Sequence, residues 1–280
     1  MTTRVRSGFL DFDWGQLHIR GDLQGSDKQP IVLLHQNPLS TFTYEQVLAS
    51  LSEHFRPIAI DTPGFGLSSD PPETPTLATY AEIIHQATTM LGLQRPLLIG
   101  QHTGACIAVE LALTHPDAVS GAALIGVPCV SPAVAETRLN AKHPFEITED
   151  GAHLTYIWTR MQNEQYPGLL SKEIANRHVI DHLLAGPENY LHAYKAVYQY
   201  PIQKRLTQLS LTDIPVLLLS GSADCIKEFH DSTTEFLPEA RTITFEGCSD
   251  FIMDEGPDRF GKEIADFAAR TIHLESIAKG

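Results

Sequence analysis

The chain has 280 residues, a formal net charge of −14 and 42% hydrophobic residues. This length fits one large α/β domain with or without a smaller insertion, and the hydrophobic content is sufficient for a sizeable core. The acidic charge argues against nucleic-acid and anionic-membrane partners and is typical of a cytoplasmic enzyme. We therefore expect a small-molecule substrate and a monomer or homodimer.

The N-terminus and the cysteines indicate the compartment. Residues 1–15 contain no apolar run long enough for a signal peptide, and no segment reaches the length of a transmembrane helix. The four cysteines show no pairwise metal-binding spacing: Cys106, Cys129, Cys225 and Cys248. We expect a cytoplasmic protein with free thiols and without a metal or another cofactor.

Short apolar runs alternate with helical patterns along the chain. Residues 8–13 and 16–22 predict an antiparallel strand pair at one edge of a sheet, joined by a turn at Trp14 and Gly15. Six runs then predict parallel strands buried on both faces: IVLLH (31–35), PIAID (57–61), LLIGQ (97–101), ALIGV (123–127), VLLLSG (216–221) and TITFEG (242–247). Helical periodicity separates these runs, so the sequence predicts an α/β fold with a doubly wound, mostly parallel eight-stranded sheet flanked by helices.

One long interval interrupts this alternation. Residues 127–215 contain no strand-like run but several helical patterns, and the interval is too long for a loop. We predict a helical cap at residues 129–206, inserted into a core formed by residues 1–128 and 207–280. This cap contains five histidines, most of which are expected to face solvent: His143, His153, His178, His182 and His192.

Several motifs occur in the order and with roughly the spacing found in α/β-hydrolases. Residues 15–38 (GQLHIRGDLQGSDKQPIVLLHQNP) resemble the second strand, turn, third strand and oxyanion loop of that family. DTPGFGLSSDPP resembles the loop after the fourth strand, and GQHTGA resembles the nucleophile elbow G-x-S-x-G. SGSAD and EGCSDFIMDEGPDRF resemble the acid loop and the histidine loop. The resemblance implies the α/β-hydrolase fold with a cap.

The elbow motif departs from the family pattern at its tip. Its two glycines correspond to Gly100 and Gly104, so the residue in the nucleophile position is His102 instead of serine. The resemblance implies an oxyanion hole formed by the backbone N–H groups of Thr103 and Gln36. Gln36 stands where glycine is commonest in the family.

A second departure lies in the histidine loop. Asp224 matches the family's acid, but Asp250 stands where the family has its catalytic histidine. A Ser-His-Asp relay therefore cannot operate. Since a carboxylate can orient an imidazole, we predict a catalytic dyad of His102 and Asp250. The three side chains have plausible types for metal ligation, but no metal-binding spacing supports such a site.

Three functional hypotheses fit these residues. In the first, His102 acts as general base, or as nucleophile, in the hydrolysis of a small, fairly apolar ester, lactone or other carbonyl compound. In the second, the same base removes a substrate proton in a cofactor-free lyase, cyclase or oxygenase. In the third, the chain is a non-catalytic protein that binds a small ligand under the cap.

Further residues are candidates for the substrate pocket. His35 opens the oxyanion loop, and Cys129 follows a strand end, where ligands bind in such sheets. Trp158, Tyr190 and Tyr194 recur with Tyr198 at helical spacing and predict either a pocket wall or packing of the cap against the core.

Overall fold

A computed structural model describes residues 5–141, 146–166 and 168–278. Eight strands form one sheet in the order β1-β2-β4-β3-β5-β6-β7-β8. Their bounds are β1 Arg6–Phe12, β2 Gly15–Gly21, β3 Pro30–Leu34, β4 Arg56–Ile60, β5 Leu97–Gln101, β6 Gly121–Ile125, β7 Val216–Gly221 and β8 Arg241–Phe245. β2 pairs antiparallel with β1 and β4, and the remaining pairs are parallel. The predicted mostly parallel eight-stranded sheet is confirmed.

Helices cover both faces of this sheet. Their bounds are α1 Glu45–His54, α2 Leu77–Met90, α3 Thr103–Thr114, α4 Pro132–Asn140, α5 Ala152–Thr159, α6 Lys172–Gln199, α7 Ile202–Leu209, α8 Lys227–Asp231, α9 Ile252–Glu255 and α10 Pro257–Ala278. Successive strand residues point to opposite faces. Val32 and Leu34 therefore join the core cluster with α2, α3 and α7, whereas Ile31 and Leu33 join the cluster with α1, α9 and α10. Burial on both faces explains the continuous apolar runs.

The turn between β1 and β2 and the end of the sixth strand differ from their predicted positions. The turn between β1 and β2 lies at Asp13 and Trp14, one residue earlier than predicted. The sixth strand ends at Ile125, not at Val127, because Gly126 adopts a φ of 55° and leaves the ladder. The backbone N–H of Val127 then donates to Nδ1 of His230 at 2.9 Å instead of to a neighbouring strand.

The interval between β6 and β7 contains α4 to α7, and a turn of π-helix, Arg160–Gln165, follows α5. No strand occurs among its described residues. Ile202, Leu206 and Leu209 of α7 are buried in the same core cluster as α3. This helix therefore packs as part of the core, and the predicted cap boundary at residue 206 falls inside it. We refer below to residues 132–199 as the α4–α6 segment.

None of the helices within the described ranges combines the length and the apolar content that a membrane span requires.

Candidate active site

The turn between β5 and α3 holds His102 in a conformation that few residues other than glycine adopt. Its φ is 47° and its ψ is −105°. A Cβ at Gly100 would lie 2.2 Å from the carbonyl oxygen of Gly104, and one at Gly104 would lie 2.1 Å from that of Leu34. Both positions therefore require glycine, and their close backbone contacts present His102 at the tip of the turn.

His102 contacts Asp224 instead of Asp250, so the predicted pairing is wrong. Nε2 of His102 lies 3.2 Å from Oδ2 of Asp224, which follows β7, while Oδ1 of Asp224 accepts from the backbone N–H of Ile226 at 2.8 Å. An imidazole is longer than a serine hydroxymethyl group, so it reaches from the turn to the acid position without an intervening histidine. Nδ1 of His102 has no hydrogen-bond partner among the described residues.

Gly126 provides the space in which this contact forms. A Cβ at its position would lie 2.4 Å from Cδ2 of His102 and 2.5 Å from Oδ2 of Asp224. Its positive φ would also strain any other residue. The sequence gives no signal for the role of this glycine, because it lies within an apolar run that is typical of a strand.

Asp250 is fully buried and bonded to other donors. Its Oδ2 accepts from Nε2 of Gln36 at 2.8 Å and from the hydroxyl of Tyr166 at 2.7 Å. Its Oδ1 has no hydrogen-bond partner among the described residues. These two donors hold the Asp250 carboxylate, which explains why His102 pairs with Asp224. Tyr166 was not predicted from the sequence, since the irregular backbone that follows α5 leaves no periodic signal.

The three titratable groups shift one another's pKa values. Burial disfavours the charged form of His102, but the charge and hydrogen bond of Asp224, together with the charge of Asp250, outweigh burial and raise the pKa of His102. Burial is likewise outweighed at Asp224, where His102 lowers the pKa. Burial, with the charge of Asp224, raises the pKa of Asp250 to about 6. Asp224 is therefore the ionised partner of His102 near neutral pH.

A cavity opens above His102, between the sheet and the α4–α6 segment. The cavity has a volume of about 70 Å³, so it suits a small ligand. Both residues predicted for the oxyanion hole, Gln36 and Thr103, line this cavity. Its other lining residues are Asn37, Pro38, His102, Pro128, Arg160, Gln165, Tyr166, His178, His182, Tyr190, Tyr194, Val197, Tyr198, Cys225 and Ile226. Tyr190 and Tyr194, predicted for the pocket wall, are thus placed beside it.

A family model for the alpha/beta hydrolase fold matches residues 29–257. The chain belongs to the α/β-hydrolase family. The non-heme chloroperoxidase of Streptomyces lividans is 26% identical, with 95% of this chain and 98% of that protein covered. Haloalkane dehalogenase 2 of Mycobacterium tuberculosis is 34% identical over 42% of this chain and 41% of its own length, so the match spans less than half of that relative. The crystal structure of the enol-lactonase from Burkholderia xenovorans has a TM-score of 0.77 at 21% identity, covering 94% of this chain and all (100%) of that one.

Three other predicted pocket residues of this α/β-hydrolase lie outside the cavity lining. His35 is buried, where its Nε2 accepts from the backbone N–H of Thr62 at 3.0 Å and its Nδ1 donates to the carbonyl oxygen of Gln36 at 2.9 Å. It therefore supports the loop that carries Gln36. Cys129 is buried in the core, and Trp158 is 37% exposed on α5.

Most histidines of the α4–α6 segment were expected to face solvent, but two of them do not. His178 and His182 are buried and line the cavity, with their Nδ1 atoms 2.9 Å apart. They lie one turn apart on the face of α6 that is directed towards the core. His153 and His192 are partly exposed, and His143 lies outside the described residues.

Among the residues that the structure describes, no group of three or more His, Cys, Asp and Glu side chains could hold a metal ion.

Replacement of Asp250 by asparagine is expected to stabilise this α/β-hydrolase near pH 8. The folded-state pKa of about 6 exceeds the ordinary value of 3.8, so the stabilisation by this group is present below 3.8 and is lost as the pH rises through 6. Asparagine removes the cost of ionising a buried carboxyl. We expect a gain of roughly 1–3 kcal/mol near pH 8 that disappears near pH 4, measured by urea unfolding.

Asp27→Asn is the matched control, because Asp27 is exposed. It should change the free energy of unfolding little at either pH. If Asp250→Asn were less stable than the wild type near pH 8, the ionised carboxylate would be stabilising, contrary to the raised pKa.

Proposed function

We propose that this chain is a hydrolase for a small, fairly apolar carbonyl compound and that His102, oriented by Asp224, is its general base. The observation that carries the proposal is the contact between Nε2 of His102 and Oδ2 of Asp224 at the base of the cavity. An ionised carboxylate only accepts hydrogen bonds, so the proton of the neutral imidazole lies on Nε2. Nδ1 then keeps the lone pair that can take a proton from water.

The remaining groups fit the same reaction. The turn between β5 and α3 corresponds to a nucleophile elbow with a histidine tip, and Gln36 and Thr103 are positioned beside it. Their backbone N–H groups are the proposed donors to the oxyanion formed when the activated water attacks the carbonyl carbon. The α4–α6 segment acts as the cap that encloses the substrate. No cofactor takes part in this mechanism.

The relatives support hydrolysis as the reaction class. The matched proteins include one named a haloalkane dehalogenase and one solved structure described as an enol-lactonase. The structural likeness establishes the fold alone, so the substrate class rests on the site. An imidazole base with oxyanion donors suits an ester or lactone, in which negative charge develops on the carbonyl oxygen.

A panel of para-nitrophenyl esters and aliphatic and aromatic lactones tests the proposal directly. We expect turnover of at least one compound, with loss of that turnover in His102→Ala. The test also includes carbonyl compounds in deuterated water, analysed by mass spectrometry. Enzyme-dependent exchange of a C–H proton without hydrolysis would replace the proposal with proton abstraction, and saturable binding with neither reaction would indicate a binding protein.

A fluorophosphonate probe for activated serines is expected to leave the native protein unlabelled. No serine belongs to the described cavity lining, and the tip of the turn carries His102. Intact-protein mass spectrometry should show no adduct under conditions that fully label a serine hydrolase of the same fold. Stoichiometric labelling of a serine would show that a serine side chain, instead of water, is the nucleophile.

A further inference from the structure

The cavity wall contains a guanidinium group that the proposed hydrolysis does not use. Arg160 begins the π-helical turn after α5 and lines the same cavity as His102. Its Nη1 donates to the hydroxyl of Tyr190 at 3.2 Å. Within the described part of the chain, no carboxylate forms an ion pair with Arg160, and its Nε and Nη2 have no hydrogen-bond partner.

Among the described residues, Arg160 lacks the carboxylate partner that several other arginines of this protein have. Arg177 pairs with Asp254 at 2.7 Å, Arg241 pairs with Glu263 at 2.8 Å, and Arg205 pairs with Glu110. A guanidinium is always charged, and its partial removal from water costs free energy unless an anion compensates it. A ligand with a negative charge would offset this cost, because it would give Arg160 the anionic partner that the described part of the protein does not provide.

The charge of the cavity identifies the kind of anion. Arg160 is the one permanently charged cation among the described lining residues. His178 and His182 add no charge near neutral pH, because burial, with a contribution from the nearby Arg160, lowers the pKa of His178 well below its ordinary value and that of His182 to about 4. One cation matches a monoanion. A phosphate dianion would also meet repulsion from the carboxylates beside His102.

Aromatic side chains near Arg160 indicate what kind of group accompanies the anion in the ligand. The rings of Tyr190 and Tyr194 lie 4.9 Å apart between centroids, and those of Tyr194 and Tyr198 lie 5.7 Å apart. All three side chains line the cavity beside Arg160. This wall suits an apolar, preferably aromatic, group next to the anion.

We propose that Arg160 is a specificity-determining residue that binds a carboxylate of the substrate, so that the substrate is a monocarboxylic acid with an apolar body and a hydrolysable carbonyl group. This proposal rests on the proposed function for the carbonyl group that is hydrolysed. It adds a second group of the substrate, a carboxylate, that the protein recognises. Arg160 binds and orients the carboxylate, and His102 activates water at the second carbonyl. The guanidinium can engage both carboxylate oxygens through Nε and Nη2.

Binding of benzoate and its neutral analogue benzamide tests the carboxylate site without requiring turnover. By titration calorimetry near pH 8, we expect the wild type to bind benzoate about 10- to 100-fold more tightly than benzamide. Arg160→Gln should abolish this preference by weakening benzoate binding alone, and Arg160→Lys should keep part of it. Arg138→Gln, which changes an exposed arginine of the same segment outside the cavity lining, is the matched control and should bind like the wild type.

Three results would overturn the proposal. They are equal affinity of the wild type for the two compounds, absence of benzoate binding at millimolar concentration, and an unchanged preference in folded Arg160→Gln. The comparison in the wild type decides the question even if Arg160→Gln does not fold.

Hydrolysis of para-acetoxybenzoate and para-acetoxybenzamide separates this proposal from the proposed function. We expect the acid to be the better substrate in kcat/KM by about 10- to 100-fold, with the preference lost in Arg160→Gln. A benzoate preference without hydrolysis of either ester would retain the carboxylate site and contradict the hydrolase proposal. Equal hydrolysis of both esters, abolished by His102→Ala, would retain the hydrolase and contradict the role of Arg160.

Discussion

Replacement of His102 by alanine is expected to lower turnover of the ester or lactone substrate by about 10²–10⁴-fold, the range for loss of a general base. Nδ1 of His102 is the atom that takes the proton from water in the proposed mechanism, and the side chain is only 14% exposed. Ligand affinity should change little, because Arg160 and the tyrosines remain. Steady-state kinetics and calorimetry of the same protein measure both effects.

His54→Ala is the matched control, since His54 is exposed at the end of α1. It should keep wild-type kinetics. Turnover of His102→Ala within a few-fold of the wild type would exclude His102 as the base.

The pH dependence of the wild type provides a second readout of His102. The base must be neutral, and its folded-state pKa lies above the ordinary value of 6.5. The rate should therefore rise with pH and reach half of its maximum above 6.5. Asp250→Asn removes one of the negative charges that raise this pKa, so the ascending limb should move to lower pH.

Replacement of Gly126 by alanine is expected to lower turnover by about 10²-fold, the cost of displacing a catalytic group by about 1 Å. The added methyl group would occupy the space between His102 and Asp224, at 2.4–2.5 Å from their atoms. Loss of that contact should also lower the pKa of His102 towards its ordinary value. Steady-state kinetics and histidine titration by NMR measure the two effects.

Gly92→Ala separates this effect from backbone strain. Gly92 has a similar positive φ of 63°, but a Cβ there meets no atom within 4 Å. Both substitutions should therefore cost about 1 kcal/mol of stability or somewhat more, whereas only Gly126→Ala should impair turnover. Equal activity of the two variants would mean that the contact between His102 and Asp224 is dispensable.

The fold could be predicted from the sequence because each of its signals is local. Parallel strands buried on both faces require apolar residues at every position, so runs such as 31–35 and 97–101 are visible without knowledge of their neighbours. The end of β6 was misplaced because a glycine within an apolar run gives no sign of its positive φ, nor of the space that Gly126 leaves for His102 and Asp224. Both features are set by the tertiary structure, and no local pattern records them.

The sequence predicted which side chains form the site, but not which carboxylate pairs with His102. The motifs brought His102, Asp224 and Asp250 to adjacent loops, as the structure shows. Which carboxylate orients the imidazole depends on the reach of the side chain and on competing donors. Tyr166 is one of those donors. It lies 84 positions from Asp250 along the chain, in a segment whose placement the sequence does not indicate.

The positive φ of His102 places function and foldability in opposition at a single residue. Most positions of a natural protein agree with the global fold, but here the local backbone preference of a non-glycine residue conflicts with it. Selection for stability alone would favour glycine at the tip, and His102→Gly should unfold at a higher temperature than His102→Ala. Sequence design that optimises only backbone preference would therefore replace this histidine, so it must be held constant in any effort to make the protein more thermostable.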